Sequence, residues 1–478
     1  MKKCLLSAAA LASAAAMAMP RVVENPTLHR LASSPKVTVT YSLTVAPAIV
    51  TMDVQTNYFV DAEERWASIG GENITSGDGA LEGEIYKMVS GTGPYTIVWH
   101  PEKSWPGPSG VDPRTVNPKS DTVRIVITAW PTNDPPPYMV VDLASGAKTF
   151  YPGEDFLPGG LLANEAYRKT SLVMRKIEAR DVTWMMGSIG DYGRDVGTND
   201  ETTRSVTLTN DYYMGVFPVT QRQYAEIAQE CTGRTIDSND ITNWPSAFSL
   251  ASCRDMRPAE MLSYVYIRFD MEGDYNETKI TENEWPKPPC AKTFPGVLKT
   301  KTGLVFDLPT EEQWEFAARA GHCEGEWGDG SAYELDGSAA KNAACAIGRN
   351  GNNVSNSGIT GKESTTDADH GTAICGSYPA NSWGLYDMHG NVREWTVDTY
   401  DCLEFNAKFK AAGVDFTEIA ASDDIGAHNN DIKCVRGGNW NSPAYRMRAA
   451  DRSNFEKIQT GKANLGFRVI CPTVVPAN

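Results

Sequence analysis

No uncharged apolar stretch in the 478 residues approaches the roughly twenty that a membrane-spanning helix needs. The sequence therefore predicts no membrane span. Basic residues are in deficit: 44 Lys and Arg stand against 60 Asp and Glu, for a formal net charge of -16. That balance disfavours nucleic acid or an anionic membrane as partner, and suits calcium or plain solubility. Histidine is scarce. The six copies, His29, His100, His322, His370, His389 and His428, form no HExxH or HxH pattern, so a zinc hydrolase has little support. No G-x-S-x-G occurs. The stretch Gly358–Ser364 lacks the glycine spacing of a phosphate loop and has no hydroxyl directly after its lysine. Cysteine is missing from the first 230 residues apart from Cys4.

What is present is an ordinary globular composition, 41% hydrophobic and 22% charged, and a length that at about 150 residues per domain suggests two or three domains. Met1-Lys2-Lys3, the apolar run Leu5 to Ala16 and the small-x-small Ala16-Met17-Ala18 read as a secretory signal peptide over residues 1–18. The expected location is secreted, periplasmic or extracellular. Nine cysteines follow, Cys231, Cys253, Cys290, Cys323, Cys345, Cys375, Cys402, Cys434 and Cys471. In an oxidising compartment the simplest arithmetic is four bridges and one leftover thiol.

Alternating apolar residues from Val37 to Val45, and the runs Tyr95–Trp99 and Val123–Ile127, read as strands separated by Gly- and Pro-rich turns. They predict an all-β sandwich module over residues 36–130. The tract Pro131 to Pro137 is expected to break any ladder and to serve as a stiff linker. Residues 138–472 then predict an α+β, loop-rich domain. Two of its helices announce themselves by capping boxes, Thr220 with Gln223 and Thr310 with Gln313.

Six collinear blocks carry a resemblance: Met186-Gly187-Ser188, Asp211 to Thr220, Leu308 to Arg319, Asn381 to Trp395, Val435 to Trp440 and Asn464 to Arg468. Over residues 170–472 the chain resembles the sulfatase-modifying-factor, or formylglycine-generating-enzyme, domain, which implies a C-type-lectin-like fold. The preceding module resembles immunoglobulin-like sandwiches only generically. Active members hold copper with two cysteines in a GGSxxCxxxxCxRxR-type stretch, where soft thiolate stabilises Cu(I). Here that stretch reads Gly437 to Arg448, with Ser442 and Ala444 at the cysteine positions, so copper is not expected. Catalytic residues are unassigned. The resemblance also implies a calcium site at Asp387, Gly390, Val392 and Glu394, and a weaker one at Asn353, Val354, Asp367 and Asp369. Oxygen donors around a glycine turn suit a hard cation. A turn with Glu394 bonded to backbone amides is the alternative for the first, a solvated acidic loop for the second. Some members bridge the positions of Ala318 and Val469; here Cys402 and Cys434, flanking an inserted loop, are the candidate pair.

Aromatic and arginine side chains commonly anchor recognition surfaces, which makes Trp440, Ser442, Tyr445 and Arg446 ligand-binding candidates. The competing expectation is that the Arg-x-Arg pair is internal and matched to acids. Three functions remain open from sequence: a secreted protein binding a protein, peptide or glycan; an oxidoreductase of the family with an altered site; and a carbohydrate-binding protein.

Overall fold

In a computed structural model of the chain, the described residues are 20–22, 27–30, 36–61, 63–105, 123–188, 201, 203–231, 246–248, 254–269, 288–322, 327, 345–351, 353, 371–399, 432–452 and 455–472. The expected signal peptide, residues 1–18, lies outside them, as do Cys253, Cys323, Cys402, Val354, Asp367 and Asp369. The chain divides into two compact units, Met1–Pro135 and Pro136–Asn478. Among the described residues no helix is long and apolar enough to cross a membrane.

The first unit is built from antiparallel ladders. One sheet runs Thr27–Arg30, Val37–Tyr41, Tyr95–Trp99, Leu81–Gly83. In the other, the long strand Ala48–Val60 pairs with Glu63–Ser68, Lys87–Val89 and Val123–Pro131. Period-two burial follows from the pleat: Val37, Val39 and Tyr41 point inward, as do Ile97 and Trp99, and Met52 and Val54. The ladder runs further than the sequence predicts, since Pro131 still pairs with Ala48. It is the last residue of its strand, where a missing N–H is tolerated.

Among the described residues, the second unit has strands in three sheets and few helices. A five-stranded antiparallel sheet runs Lys148–Tyr151, Tyr138–Asp142, Ser171–Ile177, Tyr212–Gly215, Ile470–Cys471. Val182–Met186 pairs with Arg204–Leu208. The third sheet runs Phe455–Lys457, Ile432–Arg436, Arg393–Thr399, Leu465–Gly466, its last pair parallel. The end of the proline tract is fastened into this unit rather than spanning freely: the Pro136 carbonyl accepts from Tyr213 and the Pro137 carbonyl from the Lys176 amide.

Both capping boxes form with reciprocal bonds. Thr220 and Gln223 open Gln221–Ala228, and Thr310 and Gln313 open Glu311–Arg319. The second helix lays Trp314, Ala317 and Ala318 into a core with Trp184, Met186, Tyr212, Met214, Leu385, Met388 and Ile470. That core sets the loops described next, because the strands and helix that frame it end in them.

Candidate functional site

The stretch Gly437–Arg448 leaves the strand Ile432–Arg436 through two left-handed glycines, at φ 92° and 66°. Side chains are also excluded there by space: a Cβ on Gly437 would lie 2.9 Å from the Trp314 ring, and one on Gly438 2.6 Å from the Arg446 carbonyl. The chain then closes a polar turn. The Asn439 amide donates to Ser442 Oγ (3.1 Å), the Ser442 amide to the Asn439 carbonyl (2.9 Å) and the Asn441 amide to Asn439 Oδ1 (2.8 Å). Ser442 is buried, and its carbonyl accepts from the Gly351 amide. Ala444 packs in an apolar cluster with Trp327 and Met447. Both Ser442 and Ala444, the positions expected from the resemblance to match copper-binding cysteines, are thus built into the packing.

Of the four ligand-binding candidates, Trp440 is anchored rather than free. Its indole donates to the Ala463 carbonyl (3.0 Å), and its ring meets Phe248 edge-on at 5.6 Å. Tyr445 and Arg446 are half-buried, with the Arg446 guanidinium 5.2 Å from the Tyr445 ring and 3.8 Å from Asp451. Arg448 is internal: it grips Glu201 with two bonds, of 2.6 and 2.8 Å. The expectation of an inward Arg-x-Arg pair therefore holds for the second arginine.

Beneath the loop lies a set of buried ion pairs centred on the helix Glu311–Arg319. Glu311 accepts from Arg452 at 3.0 and 2.7 Å, and Arg436 stands 3.6 Å away. Burial pushes the Glu311 carboxyl up, and the Arg452 and Arg436 guanidiniums outweigh it, holding the group at about 2. Glu315 takes Arg319 (2.8 Å), Arg436 and the Gly187 amide (2.9 Å). Arg436 also donates to the carbonyls of Ala449, Ala450 and Asp451. The TEEQW-like and VRGG blocks thus meet one another inside the fold.

The expected calcium loop is zipped to Gly437–Arg448: the Gly390 amide donates to the Gly437 carbonyl (2.7 Å), the Trp440 amide to the Asn391 carbonyl (2.9 Å), and His389 Nδ1 to the Met447 carbonyl (2.8 Å). Asp387, at φ 57°, is buried; its Oδ2 accepts from the Gly376 amide, and Oδ1 has no hydrogen-bond partner. Burial pushes its carboxyl up to about 6. Glu394 bonds side chains rather than backbone amides: Arg468 reaches Oε2 at 2.7 Å and Oε1 at 2.8 Å, and the Trp314 indole reaches Oε2 at 2.7 Å. The orphaned Asp387 oxygen is a donor a hard cation accepts, whereas both Glu394 oxygens are engaged by Arg468. At the weaker site, the Asn353 side chain is committed to a turn, accepting from Asn350 and donating to the Cys345 and Gly348 carbonyls.

Among the described residues, Cys231, Cys290, Cys345, Cys375 and Cys434 are free thiols. Cys402, the candidate partner of Cys434, lies outside the described residues, and Cys434 lies buried with its Sγ 3.8 Å from Arg452. Burial, with Glu311 nearby, pushes its thiol up, which removes the thiolate that reactivity or copper would require. Sequence reasoning missed Glu201, which no motif marks, and Glu260, a fully buried carboxylate in the plain segment Pro258–Leu262.

The fold and these loops identify the class as a strand-rich, loop-dominated scaffold of the formylglycine-generating kind. The profile of the "Sulfatase-modifying factor enzyme 1-like domain" matches residues 182–472, more than half of the chain, and the chain belongs to that family. It is 28% identical over 310 residues to the mouse "Inactive C-alpha-formylglycine-generating enzyme 2", covering 60% of this chain and 82% of that protein. It is 31% identical over 169 residues to the mouse "Formylglycine-generating enzyme", covering 34% of this chain and 38% of that one. Among solved structures, PvdO from Pseudomonas aeruginosa aligns with a TM-score of 0.40 at 19% identity, over 63% of this chain and 94% of its own.

Proposed function

We propose that this chain is a secreted binding protein on a C-type-lectin-like, formylglycine-generating-enzyme scaffold, preceded by an immunoglobulin-like β-sandwich, and that it has no copper-dependent cysteine oxidase activity. The observation that carries this reading is the donor set of the Gly437–Arg448 stretch. Ser442 closes a turn with Asn439 and Ala444 fills an apolar cluster, so neither position supplies a soft ligand. The mouse and bovine relatives named "Inactive C-alpha-formylglycine-generating enzyme 2" support it. The accessible face of the loop, with Asn441 and Pro443 exposed and Tyr445 and Arg446 half-buried, is where a protein, peptide or glycan would bind. Titration of the reduced, purified protein with Cu(I), followed by incubation with a cysteine-containing sulfatase peptide and oxygen, is expected to give no tight copper and no aldehyde. One tightly held copper with peptide oxidation overturns the reading.

Calcium at Asp387, Gly390, Val392 and Glu394 is part of the proposal, supported by the unpartnered Asp387 oxygen. It would add a positive charge to that of Arg468 beside the buried Asp387 and would stiffen the loop under Gly437–Arg448. Chelator is expected to lower the melting temperature of the native chain and to leave Asp387→Ala unchanged. Equal melting of the native chain with and without chelator removes calcium from the proposal.

A further inference from the structure

The family match covers residues 182–472 and leaves the first unit without a role. Its long strand Ala48–Val60 sends alternate side chains to opposite faces. Val50, Met52 and Val54 are buried on one face. On the other, Asp53, Gln55 and Asn57 are half-buried and Phe59 is 66% exposed. Register brings the neighbouring strands' side chains onto that second face. Gln55 stands opposite Arg124 on one side and Ser68 on the other, Asn57 opposite Trp66, and Phe59 opposite Glu64. Phe59 and Trp66 are therefore diagonal neighbours, about 7–8 Å apart.

A run of hydrogen bonds fixes these side chains to one another. Ser68 Oγ donates to Asp53 Oδ1 (2.6 Å), Gln55 Nε2 to Asp53 Oδ2 (2.9 Å) and Arg124 Nε to Gln55 Oε1 (2.8 Å). That last bond sets the Arg124 guanidinium 4.5 Å from the centre of the Trp66 ring. Further out, Asn57 Nδ2 donates to Glu64 Oε1 (3.0 Å). Hydrogen-bonding capacity is left over. Among the described residues, Arg124 Nη1 and Nη2 donate to no protein group, and Asn57 Oδ1 and Glu64 Oε2 accept from none. Spare donors and spare acceptors thus flank two aromatic side chains on one open face.

We infer that this face binds an uncharged glycan, with Phe59 as the stacking ring, the Trp66–Arg124 pair as the wall beside it, and Arg124, Asn57 and Glu64 as hydrogen-bonding partners. The site belongs to a different unit from the Gly437–Arg448 loop and does not depend on that loop's role. A sugar ring presents polarised C–H bonds, which the negative face of an aromatic ring attracts, and hydroxyls that both donate and accept. It therefore uses both kinds of spare group at once. Charge selects against ionic ligands, because Arg124 is matched by Asp53 and Glu64: an anion meets the carboxylates and a cation meets the guanidinium. A peptide that adds to a sheet needs free backbone N–H and C=O groups at an edge, whereas this face offers side chains. The bonds among Ser68, Asp53, Gln55 and Arg124 also order the surface before a ligand arrives, which reduces the entropy lost on binding.

The test is affinity electrophoresis of the whole chain in native gels cast with galactomannan, xyloglucan, mixed-linkage glucan or soluble starch, and with heparin as the charged comparison. Retardation by at least one of the four neutral polysaccharides is expected, weakened tenfold or more in Trp66→Ala and in Phe59→Ala. Tyr58→Ala removes an aromatic side chain, 45% exposed, from the opposite face of the same ribbon, and should leave the retardation unchanged. Should Trp66→Ala loosen the ribbon, Phe59→Ala decides alone, since that side chain is largely in solvent already. All these substitutions lie in the first unit and leave Gly437–Arg448 intact, so their outcome is separate from the copper and peptide experiment. No retardation by any neutral polysaccharide, with or without a shift in heparin, overturns the inference. Equal retardation of the native chain and Phe59→Ala, or an equal loss in Tyr58→Ala, does the same.

Discussion

The helix Glu311–Arg319 and the loop Gly437–Arg448 both carry blocks by which the family is recognised, and they use polar residues for opposite ends. On the helix, charge is buried and matched. Glu311 and Glu315 face Arg452, Arg436 and Arg319, each a helix carboxylate against a guanidinium brought from elsewhere or from the next turn. In the loop, apart from Arg448 at its end, which is buried against Glu201, the polar groups close a local turn, leaving Asn441 exposed and Tyr445 and Arg446 half-buried. The motif residues of the helix hold the fold together, and those of the loop shape a surface. An intact set of family blocks therefore testifies to the scaffold and says nothing of the chemistry.

The sharpest way to break this contrast is Glu315→Ala. Removing Glu315 leaves Arg319 buried without its ion-pair partner and Arg436 with Glu311 at 3.6 Å as its remaining carboxylate, and breaking such a buried pair costs about 3–5 kcal/mol. Chemical denaturation of the whole chain should show a lowered midpoint of that size. A loss below about 1 kcal/mol would mean that the helix charges are no more structural than surface pairs, and the distinction between helix and loop would go.

Gly438→Ala probes the boundary between the two regions. The residue is left-handed, and the new Cβ would sit 2.6 Å from a backbone carbonyl that has few directions in which to move. Such strain costs about 1–3 kcal/mol. Because the obstructing atom belongs to Arg446, the same change should also displace the face that Tyr445 and Arg446 present. A stability loss with an unaltered loop would show that the turn, rather than its glycines, shapes the surface. Heteronuclear NMR of the Tyr445 and Arg446 amides reads that outcome directly.

The contrast also explains what could be read in advance. Capping boxes are local, within four residues, so Thr220–Gln223 and Thr310–Gln313 were legible, as was the strand Tyr95–Trp99 from its alternation. The partners of buried charges are not local. Arg448 finds Glu201 across 247 positions, and Arg436 finds Glu315 across 121, with no spacing rule connecting them. The cysteines are a related case: count and compartment suggest bridges, yet whether a thiol has a partner depends on distance in the fold, and among the described residues Cys231, Cys290, Cys345, Cys375 and Cys434 are free thiols. Ser442 and Ala444 could be placed by counting from the glycines and arginines around them. That Ala444 fills a cluster with Trp327 could not, because Trp327 lies more than a hundred positions away in a stretch without periodicity.

The smallest expected effect on stability is the most telling for the loop. Tyr445→Ala and Arg446→Ala remove half-buried side chains, the Arg446 guanidinium lying 5.2 Å from the Tyr445 ring and 3.8 Å from Asp451, a separation at which an ion pair adds little. Each should change stability by no more than about 0.5 kcal/mol, the range of surface positions. If the loop is a recognition face, the same substitutions should weaken capture of its ligand by tenfold or more, since aromatic and arginine anchors dominate such surfaces. Thermal melts of the two variants, set beside a glycan and peptide array probed with the same proteins, separate the outcomes. Unchanged melting with lost binding places recognition at Tyr445 and Arg446. A large drop in melting temperature would instead make this loop a fold-holding element like the helix, and the division drawn between them would fail.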